Sequence, residues 1–101
     1  MSLRPLDVDP SHCLIGGQWA PCASGQTLPL INPSDGTALC QIARGGAADI
    51  DAAVAAARSA FDGAWGRTTA VERGRVLYRI GALVLENIDE LAQLEALDVG
   101  K

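Results

Sequence analysis

Apolar and polar residues follow two different rhythms along the chain. Up to about residue 43 the apolar residues come in short runs broken by Gly, Pro, Asn and Asp, which is the pattern of strands and turns. Cys13-Leu14-Ile15 and Gln18-Trp19 flank Gly16-Gly17, and two glycines supply the positive φ values that a tight hairpin turn demands. Thr27 to Ile31 and Thr37 to Ala43 read as two further strands, separated by Asn32-Pro33-Ser34-Asp35-Gly36. Proline fixes φ, and Asp with Gly completes the turn chemistry, so these strands are expected to pair as an antiparallel hairpin.

After Gly46 the period becomes helical. Ile50, Val54, Ala57 and Phe61 fall at steps of four, three and four, predicting a helix over residues 48–62 with one apolar stripe. Asp49 and Asp51 sit in its first turn, where the helix dipole favours negative charge, and Gly63 is placed to end it. Thr69-Ala70-Val71-Glu72 has the spacing of a capping box and predicts a second helix over 69–86. Its stripe is Val76, Leu77, Ile80, Leu83 and Val84, and Gly81 offers a place for close packing. Asn87-Ile88-Asp89-Glu90 has the look of a second cap and predicts a short helix over 88–98 through Leu91, Leu94 and Leu97, closed by Gly100. All five prolines lie at or before Pro33, so the organisation changes once, near Gly45-Gly46. The expected layout is an extended tail over 1–12, hairpins over 13–46 and helices over 47–101.

Length and composition narrow the class. A chain of 101 residues makes one domain the natural reading, with about 60–65% of the unfolded chain's surface buried on folding. A hydrophobic share of 49% excludes disorder, and no apolar run approaches a membrane span. Met1 to Asp7 lacks the charged start and apolar stretch of a secretory signal, so a cytoplasmic location is expected. The net charge of −4 argues against nucleic acid as a partner. Arg67, Arg73, Arg75 and Arg79 cluster locally, but Glu72 interrupts them and helical spacing spreads them over a solvated face.

Candidate chemistry is sparse. Cys13, Cys22 and Cys40 show no CxxC spacing, and His12 is the only histidine, so a zinc site is not expected; the thiols read as reduced fillers of small sites. None of the three stands at a predicted helix start, where a thiol would gain reactivity. Gly16-Gly17 and Gly45-Gly46 are the only glycine doublets and neither belongs to a dinucleotide or phosphate loop. Gly45-Gly46 precedes a helix, which suits an anion in principle; Asp49 and Asp51 oppose that, and a loop-to-helix hinge is the reading preferred. No catalytic or cofactor-binding residue emerges.

Taken in order, Ile15-Gly16-Gly17-Gln18-Trp19, then Leu30 to Gly36, then Asp49 to Arg58 with Phe61 and Trp65, then Glu72 to Leu77, and finally Asp89 to Glu95 with Leu97-Asp98-Val99-Gly100-Lys101, resemble the N-terminal segment of the aldehyde dehydrogenase superfamily. Each piece is weak alone; five in order across almost the whole chain are specific. The resemblance implies an α+β fragment: antiparallel β-hairpins followed by three helices, like the start of the α/β coenzyme-binding domain of that family. It implies a longer parent enzyme that uses NAD or NADP, oxidises an aldehyde substrate through a cysteine thiohemiacetal and assembles as a homo-oligomer. The family's catalytic cysteine, glutamate, asparagine and coenzyme motif lie downstream of the matching segment. The chain therefore reads as an N-terminal fragment, inactive alone, whose partner is the remainder of the enzyme. A free-standing interaction module and a non-functional truncation product are the alternatives.

The same resemblance implies half of a monovalent-cation site. Motif match assigns backbone carbonyls to Leu30 and Ile31 and a carboxylate to Asp98. Asp98 also reads simply as a helix-end residue, and both readings stand at this level. Finally, three striped helices outnumber what the hairpins can cover. Ile50, Val54 and Phe61, with Leu77, Ile80 and Val84, are therefore expected to remain exposed.

Overall fold

The computed structural model describes residues 8–100. Two antiparallel hairpins precede three helices: β1 (His12–Ile15), β2 (Gln18–Pro21), β3 (Thr27–Ile31), β4 (Ala38–Ala43), α1 (Ala47–Asp62), α2 (Ala70–Glu86) and α3 (Ile88–Val99). A short 3₁₀ turn over Trp65–Arg67 joins α1 to α2. This is the α+β order anticipated, with four strands in two separate two-stranded sheets. Of the tail expected over 1–12, residues 1–7 lie outside the described residues. The rest is not simply extended, because Asp9 organises a turn. Its Oδ1 accepts from Ser11 N at 3.0 Å and Ser11 Oγ at 2.7 Å, its carbonyl accepts from His12 N at 3.1 Å, and β1 starts at His12.

The first hairpin closes as the paired glycines require. Gly16 and Gly17 take φ of 61° and 78°, both left-handed, and Ile15 then faces Gln18 across the turn. A Cβ at Gly16 would stand 3.8 Å from the Ala56 Cβ, so the turn lies against α1. The second hairpin is closed by side chains. Asn32 Oδ1 accepts from Ser34 N at 2.9 Å, and Asp35 Oδ1 accepts from Thr37 N at 2.9 Å and Thr37 Oγ1 at 2.7 Å. These bonds hold the Asp35 carboxyl below its ordinary pKa, the Thr37 hydroxyl being the larger cause. Leu30 pairs with Cys40 but Ile31 pairs with Ala38, so Leu39 is a bulge. The second hairpin is tied to the turn that leads into β1 through Ala43 N, which donates to Pro10 O at 3.0 Å.

Local signals account for the helix ends. Gly46 N donates to Asp49 Oδ2 at 2.9 Å while Asp49 Oδ1 accepts from Ala23 N at 2.9 Å, so one carboxylate closes the start of α1 and anchors the inter-hairpin loop. Thr69 and Glu72 form the reciprocal capping box of α2: Glu72 N donates to Thr69 Oγ1 at 3.2 Å and Thr69 N to Glu72 Oε2 at 2.9 Å. Arg73 folds back over the connection, with its guanidinium 5.9 Å from the Trp65 ring centroid and Nη2 donating to Thr68 O at 2.9 Å. Asn87 departs from expectation. It stands before α3 but makes no side-chain cap there. Its Nδ2 instead donates to Leu83 O at 2.8 Å, satisfying a terminal carbonyl of α2. Gly100 ends α3 with φ of 80°, its N–H donating to Ala96 O.

Packing is open. Cys22, at 5% exposure, is the one buried apolar residue among those described. The total accessible surface is 7553 Å², against about 5,400 Å² for a folded monomer of this mass. The radius of gyration is 16.6 Å, against about 13 Å for a compact domain of this length. Ile50, Val54 and Phe61 on α1, with Leu77, Ile80 and Val84 on α2, are all exposed, Leu77 to 68%. Gly81 does not serve close packing within this chain, since a Cβ there would meet open space. The cause is arithmetic: two hairpins have too little area to cover three amphipathic helices.

Candidate functional site

A groove of about 440 Å³ between the second hairpin and α3 carries sequence-predicted residues. Its walls are Pro10 from the N-terminal turn, Leu30 from β3, Leu39 and Cys40 from β4, and Leu94, Glu95 and Asp98 from α3. Two devices set its shape. The bulge at Leu39 breaks the ladder between Leu30 and Ile31, and the left-handed Gly100 brings the end of α3 onto the Asn32–Gly36 turn. A Cβ at Gly100 would lie 3.1 Å from Pro33 Cγ and 3.4 Å from Ser34 Oγ, so only glycine permits this approach without displacement.

Leu30 and Asp98, nearly seventy residues apart in sequence, therefore line one groove. Ile31 is not among its walls, and its side chain is 47% exposed. The oxygen-rich set of two carbonyls and one carboxylate has the hard character an alkali cation prefers, but it is smaller than such an ion's usual six or so oxygens. Among the described residues no group of three or more His, Cys, Asp and Glu is arranged to hold a metal. The sequence reading did not find Pro10, Leu39, Leu94 or Glu95 as groove residues. Leu94 was visible as a stripe position, but the bulge that turns Leu39 inward leaves no mark in the residue order.

The cysteines occupy two places. Cys40 lies in the groove, and burial raises its pKa above the usual thiol value. Cys13 Sγ and Cys22 Sγ are 3.3 Å apart at the open end of the first hairpin. The hydrogen bond with Cys13, then burial, push the Cys22 thiol up to about 11. A catalytic thiol needs its pKa depressed by a cation or a helix start, and neither Cys22 nor Cys40 has that. At the start of α1, Gly46 N donates to Asp49 Oδ2, which places a carboxylate beside Gly45-Gly46 where a phosphate would have to sit. The arginines disperse as expected. Arg73 turns to Trp65 and Thr68, and Arg79 Nη1 lies 3.7 Å from Glu86 Oε1 on an exposed face.

Residues 19–101 match the model of the aldehyde dehydrogenase family. The chain belongs to that family. Human mitochondrial 10-formyltetrahydrofolate dehydrogenase is 49% identical over 92 residues, which are 90% of this chain and 10% of that protein. The structure of aldehyde dehydrogenase from Bacillus cereus, as its G224D mutant, superposes with a TM-score of 0.88 at 38% identity, covering 100% of this chain and 22% of the other. The NAD+ complex of a Bacillus cereus aldehyde dehydrogenase superposes with a TM-score of 0.84 at 39% identity, covering 92% and 19%. The hairpins and helices are thus those of an aldehyde dehydrogenase N-terminal segment, and the chain spans about a tenth of the curated relative's length. No helix among the described residues is long and apolar enough to cross a membrane.

Proposed function

We propose that this chain is the N-terminal part of the coenzyme-binding domain of an NAD(P)-dependent aldehyde dehydrogenase, inactive alone, whose remainder supplies the reacting groups. The observation that carries this reading is the match to an NAD+-bound aldehyde dehydrogenase over 92% of the chain but only 19% of that structure. In the whole enzyme an aldehyde is oxidised to a carboxylic acid through a cysteine thiohemiacetal, with NAD or NADP taking up the electron pair. No residue among these is assigned to that chemistry or to the coenzyme. Their part is support: the exposed faces of α1 and α2 pack against the remainder of the enzyme, and the parent assembles as a homo-oligomer.

Leu30 and Ile31, through their carbonyls, and Asp98, through its carboxylate, are proposed as half of a monovalent-cation site. The groove shared by Leu30 and Asp98 supports this, and the remaining oxygen ligands come from outside the chain. Such an ion neutralises Asp98 and joins β3 to the end of α3. A cytoplasmic location belongs to the same proposal, and cell fractionation checks it; mitochondrial enrichment overturns it.

Reading the coding sequence past codon 101 tests the proposal. Family-like sequence beginning with a proline supports it. A stop codon there overturns it in favour of the interaction module, for which the exposed α1 and α2 faces speak, or of a truncation product. The purified 101-residue chain is expected to form no NADH from NAD+ and an aldehyde. Aldehyde-dependent NADH lost on replacing Cys13, Cys22 or Cys40 overturns the assignment of catalysis to the remainder.

A further inference from the structure

We infer that Cys13 and Cys22 form a redox pair that closes to an intramolecular disulfide across the first hairpin when the protein meets a low-molecular-weight disulfide. The hairpin register places them. Cys13 faces Ala20, and Cys22 follows Ala20 by two residues, so both side chains leave the same face of the ribbon. Their sulfurs are 3.3 Å apart, already in contact. A covalent S–S bond needs only about 1.2 Å further approach, and Cys22 lies one residue beyond the end of β2, where the ladder no longer holds the backbone. The third thiol, Cys40, lies in the groove beside α3 and has no such neighbour. No cluster of three ligating side chains exists among the described residues, so the pair lacks the partners of a zinc site.

The exchange is ordinary thiol chemistry. Cys13 is half-buried while Cys22 is buried, so Cys13 meets the reagent first. Its thiolate attacks one sulfur of the small disulfide RSSR, forming Cys13–S–S–R and releasing RS⁻. Cys22 then loses its proton to solvent and attacks Cys13 Sγ, forming the internal disulfide and releasing a second RS⁻. The two cysteines give up two electrons and two protons, and RSSR becomes two RSH. Before the first step the hydrogen bond with Cys13 holds the proton on Cys22. The mixed disulfide removes that proton-sharing partner, so the first step prepares the second. The inference depends on the hairpin alone and stands whatever the catalytic reading of the parent.

Equilibrating the 101-residue chain in glutathione buffers, then alkylating and cleaving before aspartates, tests it. Cleavage at Asp9 and Asp35 puts Cys13 and Cys22 on one peptide and Cys40 on the next. The expected result is that the first peptide loses both alkylation sites together and is lighter by two hydrogens, while Cys40 stays alkylated. In concentrated urea the same closure is expected to need an oxidised-to-reduced glutathione poise about tenfold higher, because the hairpin no longer holds the sulfurs together. Cys40→Ser is expected to leave closure unchanged, and Cys13→Ser to abolish it. Three outcomes overturn the inference: a glutathione adduct that persists on Cys13, cross-linking to Cys40 with equal yield, or a midpoint unchanged by urea. Should Cys13→Ser fail to fold, the comparison of the unaltered chain with and without urea decides the matter.

Discussion

The third helix and the first two have comparable apolar stripes and opposite surroundings. Leu91, Leu94 and Leu97 of α3 are half-buried: the helix packs on α2, Leu94 lies in the groove against the second hairpin, and the Gly100 end meets Pro33. Ile50, Val54 and Phe61 of α1 and Leu77, Ile80 and Val84 of α2 stand in solvent, with Phe61 exposed to 67%. The stripe of α3 has its counter-surface within the chain, whereas the stripes of α1 and α2 have none. Amphipathic spacing thus reports that a face is destined for burial without reporting which surface does the burying. The same contrast separates what maintains each helix. α2 relies on local devices such as the Thr69–Glu72 box and the Arg73 strap, while α3 relies on the approach of Gly100 to the turn.

The largest expected effect breaks the contrast directly. Each bare side chain forgoes about 1.5–3 kcal/mol of burial. The 101-residue chain is therefore expected to bind a hydrophobic dye and to sediment as a concentration-dependent mixture, and Ile50→Ser, Phe61→Ser and Leu77→Ser together are expected to suppress both. A sharp monomer with a cooperative melt and no dye binding would show that these faces are covered after all. Next in size is Gly100→Ala, which combines φ of 80° with a Cβ 3.1 Å from Pro33; the left-handed conformation alone costs about 1–2 kcal/mol. The expected reading is faster amide exchange in α3, with α2 unaffected.

Thr69→Ala is the complementary change and should cost about 1 kcal/mol. Its signature is loss of helical circular dichroism from α2 while the α3 amides keep their protection; equal loss in both helices would mean that the two are maintained as one unit. The smallest effect is read through pH. Hydrogen bonds from Gly46 N and then Ala23 N lower the pKa of Asp49 from its ordinary 3.8. A depressed folded-state pKa contributes stability that is present above 3.8 and lost as pH falls through the lower folded value. Acid should loosen the start of α1 in that window, and Asp49→Asn should flatten the dependence. An unchanged acid profile in the variant counts against the dual anchoring of Asp49.

Near-neighbour chemistry made much of this molecule legible from residue order. Gly16-Gly17 called for the left-handed turn, Thr69 with Glu72 for a reciprocal cap, and Gly100 for the end of α3, because each device is completed within a few residues of backbone. Asn87 was the instructive failure. Its position suits either the end of one helix or the start of the next, and geometry assigned its amide to Leu83 O of α2. The Asp98 half of the groove was indicated by family resemblance, but its walls were not. They meet only because a bulge at Leu39 reorients β4 and because α3 returns to the Asn32–Gly36 turn.

Residue order by itself determined the elements, most of their ends, the family, and the surplus of apolar helix face over the hairpins available to cover it. The family was indicated by motif resemblance; the rest follow from side-chain period, backbone φ preference and hydrogen bonds that span a few residues. Tertiary structure alone decided which stripe found cover, that Asp49 ties the inter-hairpin loop to α1, that Pro10, Leu39 and Leu94 wall the groove of Leu30 and Asp98, and that Cys13 touches Cys22 rather than Cys40. Those outcomes depend on where separate elements come to rest, and a few degrees of twist or one bulged residue moves such distances by ångströms without altering any local pattern.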